Sequence, residues 1–290
     1  MANGKKIILC PNVNRDISFE LTRNVISIME KNGRDYVICP LFDEYTSIDI
    51  PFPAKMIAEL EDELPTAEMI VTFGGDGTIL KAARAAADYG VAILGINAGG
   101  KGFIAELEVD EIDLVDSAAT GEYKTENRMM LDAEVIRDGK SICVDYALND
   151  IVIRGYNKVI DLKLLGDRQI IYEISGDGVV VATPTGSTAY SMAAGGPIVE
   201  PSAENIIISP ICAHVLEVKP FVLASDRCVS IEIGYKKQNH AFMSADGNER
   251  VEIYSGDTIN IKKAMRYTRM VRLSNRSFYR KVSEKLGEKL

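Results

Sequence analysis

Glu68 to Phe73 form an apolar run that reads as a strand. Gly74-Gly75-Asp76-Gly77 follows at once, and then an alanine-rich helical pattern from Thr78 to Tyr89, closed by Gly90. Strand, tight turn and helix in direct succession are the building block of a parallel sheet covered by helices. The glycines let the backbone adopt conformations that a Cβ forbids and approach another group closely. The helix behind them offers free N–H groups and the positive end of its dipole, a setting suited to phosphate. A lone carboxylate among anion-binding amides is out of place as scaffolding. It is in place as a base or metal-organising group beside a transferring phosphoryl group.

The flanking sequence repeats the alternation. Residues 5–10 read as a strand, and Asp16 as the N-cap of a helix with Ile17, Leu21, Val25, Ile28 and Met29 on one face, stopped by Gly33. Tyr36 to Cys39 is a second strand; Pro53 opens a helix with Met56, Ile57 and Leu60 inward; Val91 to Ile96 is a fourth strand. The Gly-rich turn then lies at the carboxyl end of a strand, where open α/β sheets bind ligands. Beyond about residue 125 the pattern becomes β-rich. Met129–Arg137 and Ser141–Ile153 are joined by the hairpin signal Asp138-Gly139-Lys140. Val159–Leu165, Gln169–Ile174, Val179–Ala182, Cys228–Ile233, His240–Ser244, Arg250–Tyr254 and Thr258–Lys262 continue it, with turns at Gly166-Asp167 and Asp246-Gly247. The expected architecture is an α/β domain with a parallel sheet over residues 1–124, then a mostly antiparallel all-β domain over 125–265. A polar helix from Arg276 to Lys289 lies in a last segment, 266–290, that returns to the first domain.

Bulk properties exclude several classes. With 290 residues, 47% of them apolar, the chain can bury a sizeable core. A formal charge of -9 and a pI near 5.0 argue against nucleic acid and anionic membranes as partners. No apolar run is long enough for a membrane helix, and Lys5 to Cys10 is too short for a signal peptide. Cys10, Cys39, Cys143, Cys212 and Cys228 are scattered and read as buried free thiols in a reducing cytoplasm. His214 and His240 are the sole histidines, so a His-rich metal site is unavailable; both read as satisfied, partly buried side chains.

A second dense motif runs from Ser175 to Tyr190: Gly176-Asp177-Gly178, an apolar strand, then Thr183-Pro184-Thr185-Gly186-Ser187-Thr188-Ala189-Tyr190 at an expected helix start, ending at Gly195-Gly196-Pro197. Small hydroxyl residues can simply cap a helix. Here they exceed what one cap uses, and a cluster of them can hydrogen-bond a sugar or base, with Tyr190 stacking or packing nearby. Asn149-Asp150 could be a turn pair, but Ile151-Val152-Ile153 continues as strand. Buried there, the two need partners, which a ligand amine or hydroxyl supplies. Asn97 to Phe103 follows the fourth strand; its Gly100-Lys101 lacks the Ser or Thr and the spacing of a P-loop, and a plain loop is the bland reading. Its position places it at the same crevice as the Gly-Gly-Asp-Gly turn.

Gly-Gly-Asp-Gly alone resembles phosphofructokinases, diacylglycerol and sphingosine kinases, and NAD kinases. Asn149-Asp150, Gly176-Asp177-Gly178, the 183–190 segment, Gly195-Gly196-Pro197 and Pro210-Ile211-Cys212-Ala213-His214, in this order and spacing, single out the NAD kinase family, which the chain resembles over about residues 5–270. The resemblance implies the NAD kinase/diacylglycerol kinase-like fold and transfer of the terminal phosphoryl of ATP to the 2′-hydroxyl of the adenosine ribose of NAD, giving NADP. Other triphosphates and polyphosphate stay open as donors. It implies that Asp76 is the base and that Gly74, Gly75, Gly77 and Thr78 hold donor phosphates. Asp76, Gly77, Phe103, Asn149, Asp150, Thr185, Thr188, Ala189 and Tyr190 meet NAD. Asp177 matches an aspartate that reaches NAD in a neighbouring subunit of a homodimer or homotetramer. A divalent metal, Mg²⁺, is expected with ATP, its protein ligands unknown. The family pair is Asn-Glu; Asp150 keeps the charge with one methylene less reach, which a bridging water makes up. Two rivals stand beside this reading: a lipid kinase of the diacylglycerol type, and a nucleotide-binding sensor without turnover.

Overall fold

A computed structural model describes residues 5–41, 50–100, 102–214, 218–234, 240–273 and 277–287. Lys101 and the helix ends expected at Arg276 and Glu288-Lys289 lie outside the described residues. The chain forms two compact units: Met1–Asn127 with Thr268–Leu290, and Arg128–Tyr267.

The first unit contains β1 (Lys6–Pro11), α1 (Glu20–Lys31), β2 (Tyr36–Ile38), α2 (Leu60–Glu63), β3 (Ala67–Gly74), α3 (Asp76–Ala86), β4 (Ala92–Asn97), β5 (Leu107–Glu108) and α4 (Val115–Thr120). The chain leaves it along β6 (Lys124–Arg137) and builds β7 (Lys140–Ala147), β8 (Asp150–Gly155), β9 (Ile160–Gly166), β10 (Gln169–Gly176), β11 (Gly178–Ala182), α5 (Tyr190–Ala193), β12 (Asn205–Ile211), β13 (Phe221–Ala224), β14 (Val229–Ile233), β15 (His240–Ala245) and β16 (Val251–Tyr254). It comes back along β17 (Thr258–Arg272) and ends in α6 (Phe278–Gly287).

In the first unit β1, β2, β3 and β4 are parallel, in the order β2-β1-β3-β4, and the end of β17 adds parallel to β4, with Arg269 opposite Ala92. The strand centres are apolar because they are buried under helices; Ile7, Leu9, Met69, Val71, Phe73 and Leu94 are fully buried. Each such side chain contributes roughly 1.5–3 kcal/mol by leaving water. From β1 the chain moves outward to β2, then crosses back to β3 on the other side of β1. The carboxyl ends of β1 and β3 are therefore the switch point of the sheet, where a crevice opens.

The second unit is antiparallel. One of its sheets runs β10-β9-β14-β17 with β6 and β7 added beyond β17; the other runs β13-β12-β11-β8-β15-β16. Alternate residues of the two sheets make one core, with Leu131, Ile153, Leu164, Val179, Val181, Ile231 and Met243 inside it. Val180 and Ala182 of β11 face the opposite way, against Ile207 and the half-buried Tyr190. β11 is thus buried on both faces, which accounts for its unbroken apolar sequence. The two-residue turn at Asp138 (φ 51°) and Gly139 (φ 72°) joins β6 to β7, as its sequence predicts.

Several local expectations need correction. Asp16 does not sit at the N-cap of α1: that position is Phe19, in the left-handed region, and the Asp16 carboxylate reaches forward to accept Leu21 N–H at 3.2 Å and Thr22 N–H at 3.0 Å. Ile17 lies before the helix and is 76% exposed. The helix expected from Pro53 is broken into a 3₁₀ turn at Ala54–Met56 and the short α2. The run Ser141–Ile153 is two strands, interrupted at Leu148-Asn149. The sequence reading also lacks β12 and β13. His214 and His240 are exposed, and His240 pairs with Glu252 and stacks on Tyr254. Of the cysteines, Cys10 and Cys39 are buried, Cys143 and Cys228 half-buried and Cys212 exposed. Burial pushes the Cys39 thiol up to about 12, so it is inert.

Candidate active site

In the first unit the strand–turn–helix motif lies at the switch point. Gly74 ends β3, Gly75 precedes α3, and Asp76 is its first residue. A Cβ on Gly74 would lie 2.2 Å from Thr78 Oγ1, so only glycine fits there. Thr78 is buried and accepts a 3.0 Å hydrogen bond from Asn12 Nδ2, and Asn12 N–H donates to Phe73 O at 3.0 Å. Asn12 follows β1, so these bonds tie together the two strand ends that flank the switch point. Gly77 is exposed at the free end of α3, and its position leaves open space where a Cβ would stand.

The half-buried Asp76 carboxylate accepts Phe103 N–H at 2.9 Å on Oδ2 and Ile104 N–H at 3.0 Å on Oδ1. One side chain therefore fixes the loop after β4 and sets Phe103 beside the turn. Each oxygen keeps a lone pair for another donor. Asn97, at the end of β4, donates from Nδ2 to Gly100 O at 3.1 Å and Glu108 Oε2 at 2.7 Å, while its buried Oδ1 has no partner. A Cβ on Gly102 would lie 3.2 Å from both Asn97 Oδ1 and Asp76 Oδ1. Asn97 and Asn12 carry this loop geometry, and sequence reasoning missed their role. The available signal was an Asn at the carboxyl end of a buried parallel strand.

The second unit gathers Asn149, Asp150, Thr185, Thr188, Ala189 and Tyr190. Residues Thr185–Thr188 form a 3₁₀ turn and α5 is a single turn, so the expected helix start is two short pieces. Thr183 N–H donates to Asn149 O at 2.9 Å, and Thr183 Oγ1 to Leu148 O at 2.6 Å. Gly186 packs so closely on Asn149 that a Cβ would lie 2.1 Å from its carbonyl oxygen. Arg128 donates to Thr185 Oγ1 at 3.3 Å. The Asn149 side-chain oxygen is buried without a partner. Asp150 is 5% exposed, and its carboxyl is pushed up to about 7. Burial is the main cause and the negative charge of Asp246 the second, while the Tyr190 N–H pulls the other way.

Asp177 is not part of this group. It precedes β11, and Asp150 pairs with Ala182 at the far end of that strand. The five residues of β11 span about 17 Å at the usual rise. Asp177 is half-buried, its carbonyl accepts Gly155 N–H at 2.9 Å, and it belongs to a separate end of the sheet.

An open parallel sheet with a glycine-cradled helix start and a carboxylate at its switch point, followed by an antiparallel β unit with a buried polar cluster, defines a two-domain phosphotransferase. Comparison with known proteins gives its family. The ATP-NAD kinase N-terminal domain matches residues 9–123 and the ATP-NAD kinase C-terminal domain residues 148–273. The NAD kinase of Natranaerobius thermophilus is 38% identical, over 97% of this chain and 98% of that protein. That of Ruminiclostridium cellulolyticum is 35% identical, over 98% and 99%. Among solved structures, yeast NADH kinase complexed with NADH aligns with a TM-score of 0.84 at 24% identity, covering 98% of this chain and 88% of that one. An Archaeoglobus fulgidus NAD kinase in complex with ATP aligns with a TM-score of 0.73 at 24% identity, covering 97% and 98%. The chain belongs to the NAD kinase family.

Proposed function

We propose that this chain transfers the terminal phosphoryl of ATP to the 2′-hydroxyl of the adenosine ribose of NAD, with Asp76 as the base. The observation that carries the reading is the Asp76 carboxylate: anchored by two backbone N–H groups at the start of α3, it retains acceptor capacity toward the switch point. A ribose hydroxyl is a poor nucleophile until its proton is accepted, so a fixed carboxylate in hydrogen-bond reach speeds attack. Gly74, Gly75, Gly77 and Thr78 would hold donor phosphates against the helix start. Asn149 and Asp150, with Thr185, Thr188, Ala189 and Tyr190, would hold the adenosine half of NAD; Phe103 would lie along the adenine. The orphaned Asn149 oxygen suits a ligand amine or hydroxyl.

Among the described residues no group of three or more His, Cys, Asp or Glu side chains could hold a metal ion. The divalent cation proposed for the reaction is Mg²⁺, bound with the ATP phosphates. Asp177, remote from Asp150, suits a role toward the nicotinamide end of NAD bound by a neighbouring subunit of a homodimer or homotetramer. Free thiols at all five cysteines suit a cytoplasmic protein. Among the described residues no helix is long and apolar enough to cross a membrane.

The test is NADP formation from NAD across ATP, other triphosphates and polyphosphate, with diacylglycerol as a rival acceptor. Asp76→Asn should lower turnover far more than NAD affinity. Equal losses would make Asp76 a binding residue, and unchanged activity would remove it from the mechanism. Tight NADP binding without NADP formation would favour the sensor reading.

A further inference from the structure

The turn between β15 and β16 faces the Asn149-Asp150 pair. Its carboxylate, Asp246, accepts three successive backbone N–H groups: Leu148 at 2.7 Å on Oδ2, then Asn149 at 2.7 Å and Asp150 at 3.1 Å on Oδ1. Asp246 N–H donates back to Asp150 O at 3.0 Å. The other side of the same segment is also taken, since Thr183 holds the carbonyls of Leu148 and Asn149. The backbone of residues 148–150 is thus clamped from both edges at the point where it leaves the strand ladder. What it leaves to a ligand is the unpartnered Asn149 oxygen and the Asp150 carboxyl.

The clamp is itself held rigidly. Asp246 has φ 51° and Gly247 φ 74°, and Asn248 closes the turn on Ala245 O through N–H at 3.0 Å and Nδ2 at 2.9 Å. Ser244 Oγ donates to Asn248 O at 2.8 Å. A left-handed aspartate is a cost that glycine or asparagine would reduce, and here it aims a charge at a buried segment.

We propose that Asp246 is a positioning residue for NAD: it fixes the backbone that presents Asn149 and Asp150. The proposal rests on the assignment of Asn149 and Asp150 to NAD. The groups that face Asp150 are Asp246 from the β15–β16 turn and the Tyr190 N–H from α5, with Arg128 of β6 reaching the adjoining Thr185. Removing the Asp246 charge removes the second cause of the upward shift at Asp150, so Asp150 ionises at lower pH.

The experiment compares the wild-type chain with Asp246→Asn and Asp246→Glu in the NADP-forming assay, across pH 5.5 to 9, with calorimetric NAD binding and thermal midpoints alongside. In the wild type kcat/KM for NAD should rise with a midpoint near the Asp150 value of about 7. Asp246→Asn should raise KM for NAD about tenfold, leave KM for ATP within about twofold, and move that midpoint down by about one pH unit. Asp246→Glu keeps the charge and loses the geometry, so KM for NAD should rise with the midpoint in place. It also serves if the Asn variant fails to fold. KM for both substrates rising together with a falling thermal midpoint and an unmoved pH profile would reduce Asp246 to a turn cap and overturn the proposal. A wild type that neither binds NAD nor forms NADP would overturn the functional reading and this proposal together.

Discussion

Asp76 and Asp246 perform the same local task in different units. Each follows a strand, and each spends its two oxygens on successive backbone N–H groups of a segment that carries candidate substrate contacts. They differ in what is left over. Asp76 stands half-buried at a helix start with acceptor capacity toward the switch point, so it can anchor a loop and take a proton. Asp246 already holds three N–H groups and acts on substrate only through Asn149 and Asp150. The comparison teaches that a carboxylate clamp is common machinery, and that its remaining lone pairs and surroundings decide whether it also does chemistry.

The largest expected effect tests that contrast at Asp76. Asp76→Asn should reduce kcat by about 10²–10⁴-fold with NAD affinity nearly unchanged. A carboxamide offers one acceptor oxygen in place of two, so one of the Phe103 and Ile104 amides should also exchange its hydrogen faster. If NAD affinity fell as far as kcat, Asp76 and Asp246 would be the same kind of residue.

Next in size is a pair of glycines. Gly186→Ala drives a Cβ to 2.1 Å from the backbone oxygen of Asn149, and Gly74→Ala drives one to 2.2 Å from Thr78 Oγ1 and 2.8 Å from Thr78 Cβ, which no rotamer moves away. Each should cost about 3 kcal/mol of stability, the first together with NAD binding and the second together with the Asn12–Thr78 bond. Denaturant titration and NAD calorimetry separate the two.

The remaining effect concerns pH. The Asp150 carboxyl is raised to about 7 in the folded chain, above its unfolded value of about 3.9. The native state therefore binds the proton more tightly, and this group's contribution to stability is full below about pH 4. It is lost as pH rises to about 7, and is constant above that. Asp150→Asn should accordingly raise stability by about 4 kcal/mol at pH 8 relative to pH 4 while weakening NAD binding. A thermal midpoint difference that does not change with pH would show that Asp150 is not held in this buried, charge-opposed state.

Much of the first unit was legible because its signals are local. β3, the Gly-Gly-Asp-Gly turn and α3 occupy one continuous stretch, and four apolar strands separated by helices imply a parallel sheet. The turn at Asp138-Gly139 was equally local. β12 was harder: Pro210 interrupts its apolar run, and a proline demotes a strand on sequence grounds. Ile17 fits the helical face by periodicity, yet Phe19 turns left-handed and Asp16 caps from outside the helix, which leaves Ile17 in water. In the site, the family motifs pointed to Asn149, Asp150 and the 183–190 segment, and the structure gathers those residues in one place. Asp246 read only as a turn residue because its partners lie 96 to 98 positions earlier in the chain. Long-range hydrogen bonds of that kind leave no trace in composition or spacing.

The outward passage along β6 and the return along β17 bear on how the molecule is made. Arg269 and Met270 complete the first unit's sheet by pairing with Ala92 and Ile93. On the ribosome those partners emerge only after every residue of the second unit. Until they do, β5 covers the outer edge of β4 only at Ile96 and Asn97, and the stretch at Ala92 and Ile93 is open to foreign strands. A chain cut short near residue 266 would never close it.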